Sequence, residues 1–321
     1  MKKSTHPLLQ LLVMMAIALG MMIVASLIST PLMARTYAAG GTSAGMPASN
    51  LLWTQGITQV LVFLVPVLLM TLVYYRGRQR EYYRLDFGRP KWLYGLTGVA
   101  IMLLMVPVND WLTEWNDTWD LGRIGEMMRS LQDQTESVME QLMGTDTVGG
   151  LLANLLVVAL LPAVCEETFF RCGVQNLLQR WFDGRSAAAG WPESDAGGQT
   201  PLYAARVTPA THGAIWLTAV VFSLGHGELF AFMPRLVMGA TLGYLYVYGG
   251  SVLPNMLAHF VNNALVVVLY WLVARGVLDV DPEAPLRVDA LLTACCTLAA
   301  IALFATTFFR RRGELKKTVL Q

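Results

Sequence analysis

Ionisable side chains occur inside apolar stretches of this sequence, where an unpaired charge would be energetically unfavourable. The segment VCEETFFRCG, residues 164–173, places Glu166, Glu167 and Arg171 directly after an apolar run. An ionised side chain near the centre of a bilayer costs about 2.5–3.5 kcal/mol on insertion scales. Glu167 and Arg171 are four residues apart with the acid first, which is the favourable order for an ion pair on one helix face. We therefore predict that these two residues pair.

Glu166 is left without a partner in this arrangement. On a helix its side chain points about 100° away from that of Glu167. A buried carboxylate that has no counter-ion is a candidate proton acceptor. The sequence therefore predicts a structural glutamate, Glu167, and a reactive one, Glu166.

Two of the four histidines also lie in apolar segments, His226 in FSLGHGELF and His259 in LAHFVNNAL. Most single histidines on apolar faces are ordinary buried residues, but here two accompany an unpaired carboxylate. Asn263 follows His259 by four residues and shares its helix face. One carboxylate, two imidazoles and one amide suit the activation of a water against a carbonyl. Glu166 with His226 would polarise the water, and His259 with Asn263 would stabilise the tetrahedral oxygen.

The cofactor requirement stays open at this point. Glu166, His226 and His259 are also candidate ligands of a divalent metal such as zinc, and the sequence does not choose between a metal-bound and a metal-free water. We interpret the four cysteines as small buried hydrophobes. Two of them flank the acidic motif and are weaker metal-ligand candidates, because no CxxC pattern accompanies them. The cysteines are Cys165, Cys172, Cys295 and Cys296.

The composition indicates what kind of structural element carries these residues. Of the 321 residues 55% are hydrophobic and only 14% are charged, whereas about 25% are charged in a typical soluble domain. A membrane-spanning helix needs about 20 apolar residues. We predict an all-α polytopic membrane bundle with about eight transmembrane helices. The predicted spans are 8–30, 51–75, 91–109, 149–181, 213–233, 235–250, 253–275 and 288–309.

Charge distribution predicts how the chain is threaded. Basic residues cluster at Lys2 and Lys3, in the segment 76–91 and in the C-terminal RRRGELKK, whereas 110–147 and 276–287 are acidic. By the positive-inside rule both termini should be cytoplasmic, in a membrane of bacterial plasma-membrane type. A cleaved signal peptide is an alternative for the first helix, although its apolar run is long for one. A net charge of +1 gives no indication of a nucleic-acid partner.

Two connecting segments are distinctive. Residues 120–143 carry apolar side chains at helical spacing and predict an amphipathic helix on the outer membrane face. That helix either packs over the bundle or acts as a lid over a cleft. Residues 183–211 are rich in Gly, Ala, Ser and Pro and predict a mobile cytoplasmic loop. We divide the chain into N-terminal helices with the amphipathic helix (1–147), a core (148–275), and a last helix with a basic tail (276–321).

Three motifs together resemble the CPBP intramembrane proteases, a family that includes the type II CAAX prenyl endopeptidases. They are EExxxR (166–171), FxxxH (222–226) and HxxxN (259–263), and the resemblance covers about 148–275. It implies hydrolysis of peptide bonds within the membrane. It also implies that Glu166 is the catalytic base working with His226, and that His259 and Asn263 form the oxyanion site. Glu167 and Arg171 would support them, with the activated water either metal-bound or metal-free.

The substrate and two alternative functions complete the sequence-based hypotheses. The gap between the first two motifs is long, and no prenyl pocket is indicated, so we expect a membrane-associated peptide or protein as substrate. A proton-coupled transporter would use similar residues, but the sequence shows neither a ladder of ionisable groups nor paired broken helices. A catalytically idle scaffold or immunity protein is the other alternative, and it would leave a costly carboxylate unused.

Overall fold

The computed structural model describes residues 6–38, 47–85, 91–186, 207–282 and 289–319, and this part of the chain is helical without any strand. Eight long helices and two accessory helices follow one another. The accessory helices are α3, a single turn, and α5, which is amphipathic. In chain order the helices are α1 (Pro7–Ala38), α2 (Ala48–Tyr74), α3 (Gln79–Tyr82), α4 (Lys91–Asp117), α5 (Gly122–Met143), α6 (148–186), α7 (Pro209–Gly225), α8 (Phe232–Gly249), α9 (Leu253–Ala274) and α10 (Ala290–Val319).

The predicted all-α membrane bundle is confirmed. Within the described ranges, seven helices are long and apolar enough to cross a membrane. The eighth long helix, α7, has 17 residues and is shorter than those seven. The predicted span 213–233 was wrong at its end, because α7 stops at Gly225 and a turn precedes α8. That turn has Gly227 at φ +73°, a conformation that residues with a Cβ rarely adopt.

Two helices that carry the site contain wider, π-helical stretches. In α2 the stretch Gln59–Leu64 precedes Pro66, and in α6 the stretch Leu155–Leu160 precedes Pro162. Proline has no N–H and interrupts the regular hydrogen-bond ladder, which explains a local widening just before it. A further π-helical stretch, Thr168–Gln175, has no such proline and follows the two glutamates directly. Such stretches are frequent at functional sites.

The helices pack around α4 and α6. Helix α4 contacts α8, α9 and α10, while α6 contacts α1, α2, α7 and α9. The largest apolar core lies where α1, α2, α6, α7 and α8 meet, and includes Met14, Val67, Phe170, Phe222 and Tyr246. Buried polar residues cluster beside it, so the bundle surrounds a polar interior in its middle part.

Helix α5 confirms the amphipathic helix predicted over 120–143. Its C-terminal end packs through Leu142 and Met143 against α2, α6 and α9. Near its other end the guanidinium of Arg129 lies 3.8 Å from the centroid of the Phe230 ring, in the turn before α8. Contacts at both ends agree with a helix that packs over the bundle, and the lid hypothesis stays a prediction. The predicted loop 183–211 is shorter than expected, since α6 runs to Ser186. Residues 187–206 of this loop lie outside the described residues, and so do residues 1–5.

Candidate active site

Glu167 is the centre of a buried polar cluster. Its Oε2 accepts hydrogen bonds from Arg171 Nε at 3.0 Å and from Asn255 Nδ2 at 3.3 Å, and its Oε1 accepts one from His259 Nδ1 at 3.1 Å. Glu167 and Arg171 are both inaccessible to solvent. The predicted Glu167–Arg171 ion pair is therefore present, and it also connects α6 to α9. Because three donors surround it, this carboxylate is fitted to a structural role.

The guanidinium of Arg171 is held from several sides. Its Nη1 donates to Gln175 Oε1 at 3.3 Å, and Gln175 Nε2 donates to the carbonyl of Gly243 at 3.1 Å. The guanidinium carbon lies 5.8 Å from the centroid of the Phe222 ring. A Cβ at position 243 would come within 2.8 Å of an Ile215 methyl carbon, so glycine allows α8 to approach this cluster. Buried charges are tolerated only with such compensation.

The sequence suggested that Glu166 has no hydrogen-bond partner, but the structure gives it one. Its side chain is 6% exposed, and its Oε1 accepts a hydrogen bond from Gln59 Nε2 at 3.0 Å. Its other oxygen, Oε2, accepts no hydrogen bond from any residue that the structure describes. The prediction that Glu166 has no partner was therefore wrong, but the adjacent glutamates do differ in their surroundings, since Glu167 has three donors and Glu166 has one.

His226 lies at the end of α7, not inside a membrane helix as its apolar context suggested. It occupies the C-cap position, and its side chain is exposed. Its Nδ1 lies 2.8 Å from the carbonyl oxygen of Phe222. A carbonyl only accepts, so Nδ1 carries the hydrogen and the neutral ring has its lone pair on Nε2. A Cβ on Gly225 or Gly227 would contact no described residue beyond the adjacent chain, so the surroundings of both glycines are open.

His259 and His226 both lie near the ring of Phe222. The centroid of Phe222 is 4.8 Å from that of His226 and 6.2 Å from that of His259. Glu166 directly precedes Glu167, whose Oε1 is bound to His259 Nδ1. Three of the predicted residues, from α6, α7 and α9, therefore occupy one neighbourhood. His259 is buried, and its Nε2 has no hydrogen-bond partner within the described ranges.

Asn263 follows His259 by one helical turn on α9 and is partly exposed. Its Oδ1 accepts a hydrogen bond from Asn262 Nδ2 at 3.2 Å. It makes no hydrogen bond to His259, and its own Nδ2 donates to no described residue. Its amide hydrogens are therefore available for another acceptor.

Sequence reasoning missed Gln59 and Asn255, which donate to the two glutamates. Both are amides in apolar helices, and this was the signal that could have revealed them. Asn255 stands in SVLPNMLAH one turn before His259, and Gln59 stands in GITQVLVFL on α2. An amide in an apolar helix needs a hydrogen-bond partner inside the bundle.

The candidate metal set was Glu166, His226 and His259. No group of three His, Cys, Asp or Glu side chains in the described parts of the chain is arranged to hold a metal ion. Cys165 and Cys172 are buried, and the thiol of Cys172 donates to the carbonyl of Tyr83. The described donors are therefore not grouped as the ligands of a metal ion.

The fold and the site together define a polytopic membrane protein in which α6, α7 and α9 bring two glutamates and two histidines into one region of the bundle. Residues 148–265 match the family model described as Type II CAAX prenyl endopeptidase Rce1-like. This match confirms the resemblance to the CPBP and CAAX protease family, over the part of the chain that carries all three motifs. It supports intramembrane endopeptidase activity in general and a membrane-associated peptide or protein as substrate. No curated protein and no solved structure shows significant similarity to the chain.

Proposed function

We propose that the protein is an intramembrane endopeptidase that hydrolyses a peptide bond with a water activated by Glu166. The observation that carries the proposal is the difference between the two adjacent glutamates. Glu167 is saturated by donors from Arg171, Asn255 and His259, whereas Glu166 has one oxygen that no described residue binds. A carboxylate with a free oxygen beside two imidazoles is arranged to accept a proton from water.

The reaction begins when Glu166 Oε2 takes one hydrogen of the water. His226 assists by accepting a hydrogen bond from the same water at Nε2, since its Nδ1 hydrogen is bound to the Phe222 carbonyl. The oxygen of the water adds to the carbonyl carbon of the scissile peptide. Its negative charge moves to the carbonyl oxygen and forms a tetrahedral intermediate.

The oxyanion is stabilised by His259 and Asn263. With Glu167 as counter-ion at Nδ1, His259 can donate from Nε2 as an imidazolium, and Asn263 adds an amide hydrogen. Collapse of the intermediate breaks the carbon–nitrogen bond, and the proton held by Glu166 passes to the leaving amine. The products are a carboxylic acid and an amine, and Glu166 returns to its ionised form. The proton of the new acid then passes to the amine or to solvent.

A comparison of the wild-type protein with the variant Glu166→Gln tests this function. Both are expressed in the same cells, and new N-termini in the membrane fraction are identified by mass spectrometry. We expect termini that depend on the wild type and are missing with E166Q at equal expression. The control is Glu114→Gln, an exposed acid at the end of α4, which should cleave normally. Identical termini with wild type and E166Q would refute the proposal.

Two measurements on the purified protein refine the proposal. Cleavage of a farnesylated CAAX peptide is compared with that of the same peptide without its prenyl group, which tests whether the substrate must be prenylated. Elemental analysis, followed by assay after chelation, tests metal dependence. With a water activated by Glu166 alone, we expect activity to survive chelation. Loss of activity that zinc restores would show that a metal takes part.

We also propose the orientation predicted from the charges, with both termini in the cytoplasm of a bacterial-type cell. If the eight long helices cross the membrane in alternating directions, the basic segment after α2 and the basic C-terminal residues lie on the same side. Reporter fusions after α2 and after α4 should therefore report opposite compartments.

A further inference from the structure

Gln59 lies on α2, outside the matched region 148–265 and outside all three motifs. It is 6% exposed, and its Nε2 donates to Glu166 Oε1 at 3.0 Å, across 107 positions of sequence. It is also the first residue of the π-helical stretch Gln59–Leu64. The only described donor to the proposed catalytic base therefore comes from the part of the chain that precedes the core.

The other end of the Gln59 amide indicates why it is there. Its Oε1 is buried and has no hydrogen-bond partner within the described residues. Leaving a buried acceptor unsatisfied costs about 1–3 kcal/mol. If Gln59 served only to fill space, an apolar side chain of similar shape would avoid this cost. The hydrogen bond that Nε2 donates must therefore offset the unsatisfied Oε1. Its one hydrogen bond is to Glu166.

We propose that Gln59 is a positioning residue for Glu166, an inference that rests on the proposed function. By holding Oε1, the amide fixes the rotation of the carboxylate and leaves Oε2 as the oxygen that faces the water. Reacting groups must be held to within about 0.5 Å for efficient catalysis, which neighbouring hydrogen bonds normally ensure. The boundary at 147/148 therefore does not separate the active site from the rest, because α2 completes it.

Two variants at this position test the role. Gln59→Met retains the size of the side chain and removes the donor, and Gln59→Glu replaces the donor with a second carboxylate. The assay is steady-state cleavage, in detergent or liposomes, of the peptide whose cleavage distinguishes wild type from E166Q. We expect kcat to fall about 10–100-fold in both variants, as for other residues that orient a reacting group. KM should change less than twofold, since Gln59 does not contact the substrate.

The matched control is Gln179→Met. Gln179 is also 6% exposed and donates from Nε2 at 2.9 Å, but to Thr211, near the start of α7. This variant should lose thermal stability as Q59M does and keep its kcat. If Q59M is not stable enough to assay, Q59E supplies the same comparison.

The double variant Q59M/E166Q separates this inference from the proposed function. If Gln59 acts through Glu166, adding Q59M to E166Q should not reduce the residual rate further. An active E166Q would refute the proposed function itself. An inactive E166Q together with wild-type kcat in Q59M and Q59E would refute only the role of Gln59. A fall in kcat that Q179M reproduces would show a structural effect and would also overturn it.

Discussion

Glu167 and His259 lie on different helices and are joined by a hydrogen bond of 3.1 Å between Oε1 and Nδ1. The same carboxylate binds Arg171 through its other oxygen at 3.0 Å. One buried acid thus orients an imidazole of the proposed site and neutralises a buried guanidinium. The neighbouring acid, Glu166, binds neither His259 nor Arg171 through a hydrogen bond, so the two glutamates should respond differently to the same substitution.

The first prediction compares Glu166→Gln with Glu167→Gln. E166Q should abolish cleavage and leave the melting temperature in detergent nearly unchanged, because Gln59 can still bind an amide oxygen at this position. E167Q should lower activity about 10–100-fold. It should also destabilise the protein by about 3–5 kcal/mol, because it leaves Arg171 buried without a counter-ion. Activity and thermal unfolding are measured on the same preparations, and equal melting temperatures for both variants would contradict the assignment.

The second prediction concerns the close approach of α8 to the Arg171 cluster. In Gly243→Ala the new Cβ would lie 2.8 Å from Ile215 Cγ2 and 3.0 Å from Gln175 Oε1. Overpacking of this kind costs about 1–3 kcal/mol, so the melting temperature should fall. Gly20→Ala is the control, since a Cβ on this α1 glycine has no atom within 4 Å. A G243A variant as stable as G20A would show that the helices are not so closely packed.

Much of the fold and one ion pair of the polar network could be predicted from the sequence. Long apolar runs identified the helices, and the four-residue spacing of Glu167 and Arg171 identified their ion pair, since both signals are local. The end of α7 was not identified, because FSLGHGELF is apolar enough to continue a span. Only the backbone shows that Gly227 turns there, with its φ of +73°.

The partners of the glutamates could not be assigned from the sequence, because they depend on how the helices pack. Gln59 meets Glu166 across 107 positions, and Asn255 meets Glu167 across 88. Nothing in a local pattern selects these amides from others in apolar helices. Helix periodicity also placed Asn263 beside His259, yet its oxygen is bound to Asn262. Its proposed role in binding the oxyanion stays a prediction.

The third prediction concerns the turn that holds His226. Gly227→Ala forces a side chain into a left-handed conformation, which costs roughly 1–2 kcal/mol, and should move the preceding imidazole. Gly276, at φ +68° after α9, has the same backbone strain and equally open surroundings. We expect similar losses of stability in G227A and Gly276→Ala, and a loss of kcat in G227A alone. Equal kcat values in the two variants would show that the position of His226 does not limit the reaction.

The fourth prediction concerns Phe222, whose ring contacts both imidazoles. Leucine at this position retains apolar volume but removes the ring whose centroid lies 4.8 Å from that of His226 and 6.2 Å from that of His259. Since a displacement of about 1 Å in reacting groups costs up to about 100-fold in rate, kcat of F222L should fall by about 10–100-fold.

The control for F222L is Phe182→Leu. Phe182 is half-buried at the end of α6, with its ring 5.2 Å from that of Trp181. Phe222 has a comparable aromatic neighbour, because its ring lies 5.0 Å from that of Phe170. F182L loses its ring contact with Trp181, and F222L loses those with Phe170 and both imidazoles. Both variants should lose stability, but F182L should retain its kcat because no described imidazole contacts the Phe182 ring. If F182L and F222L lost activity in proportion to their melting temperatures, the effect would be one of stability, and Phe222 would not be what keeps the imidazoles in place.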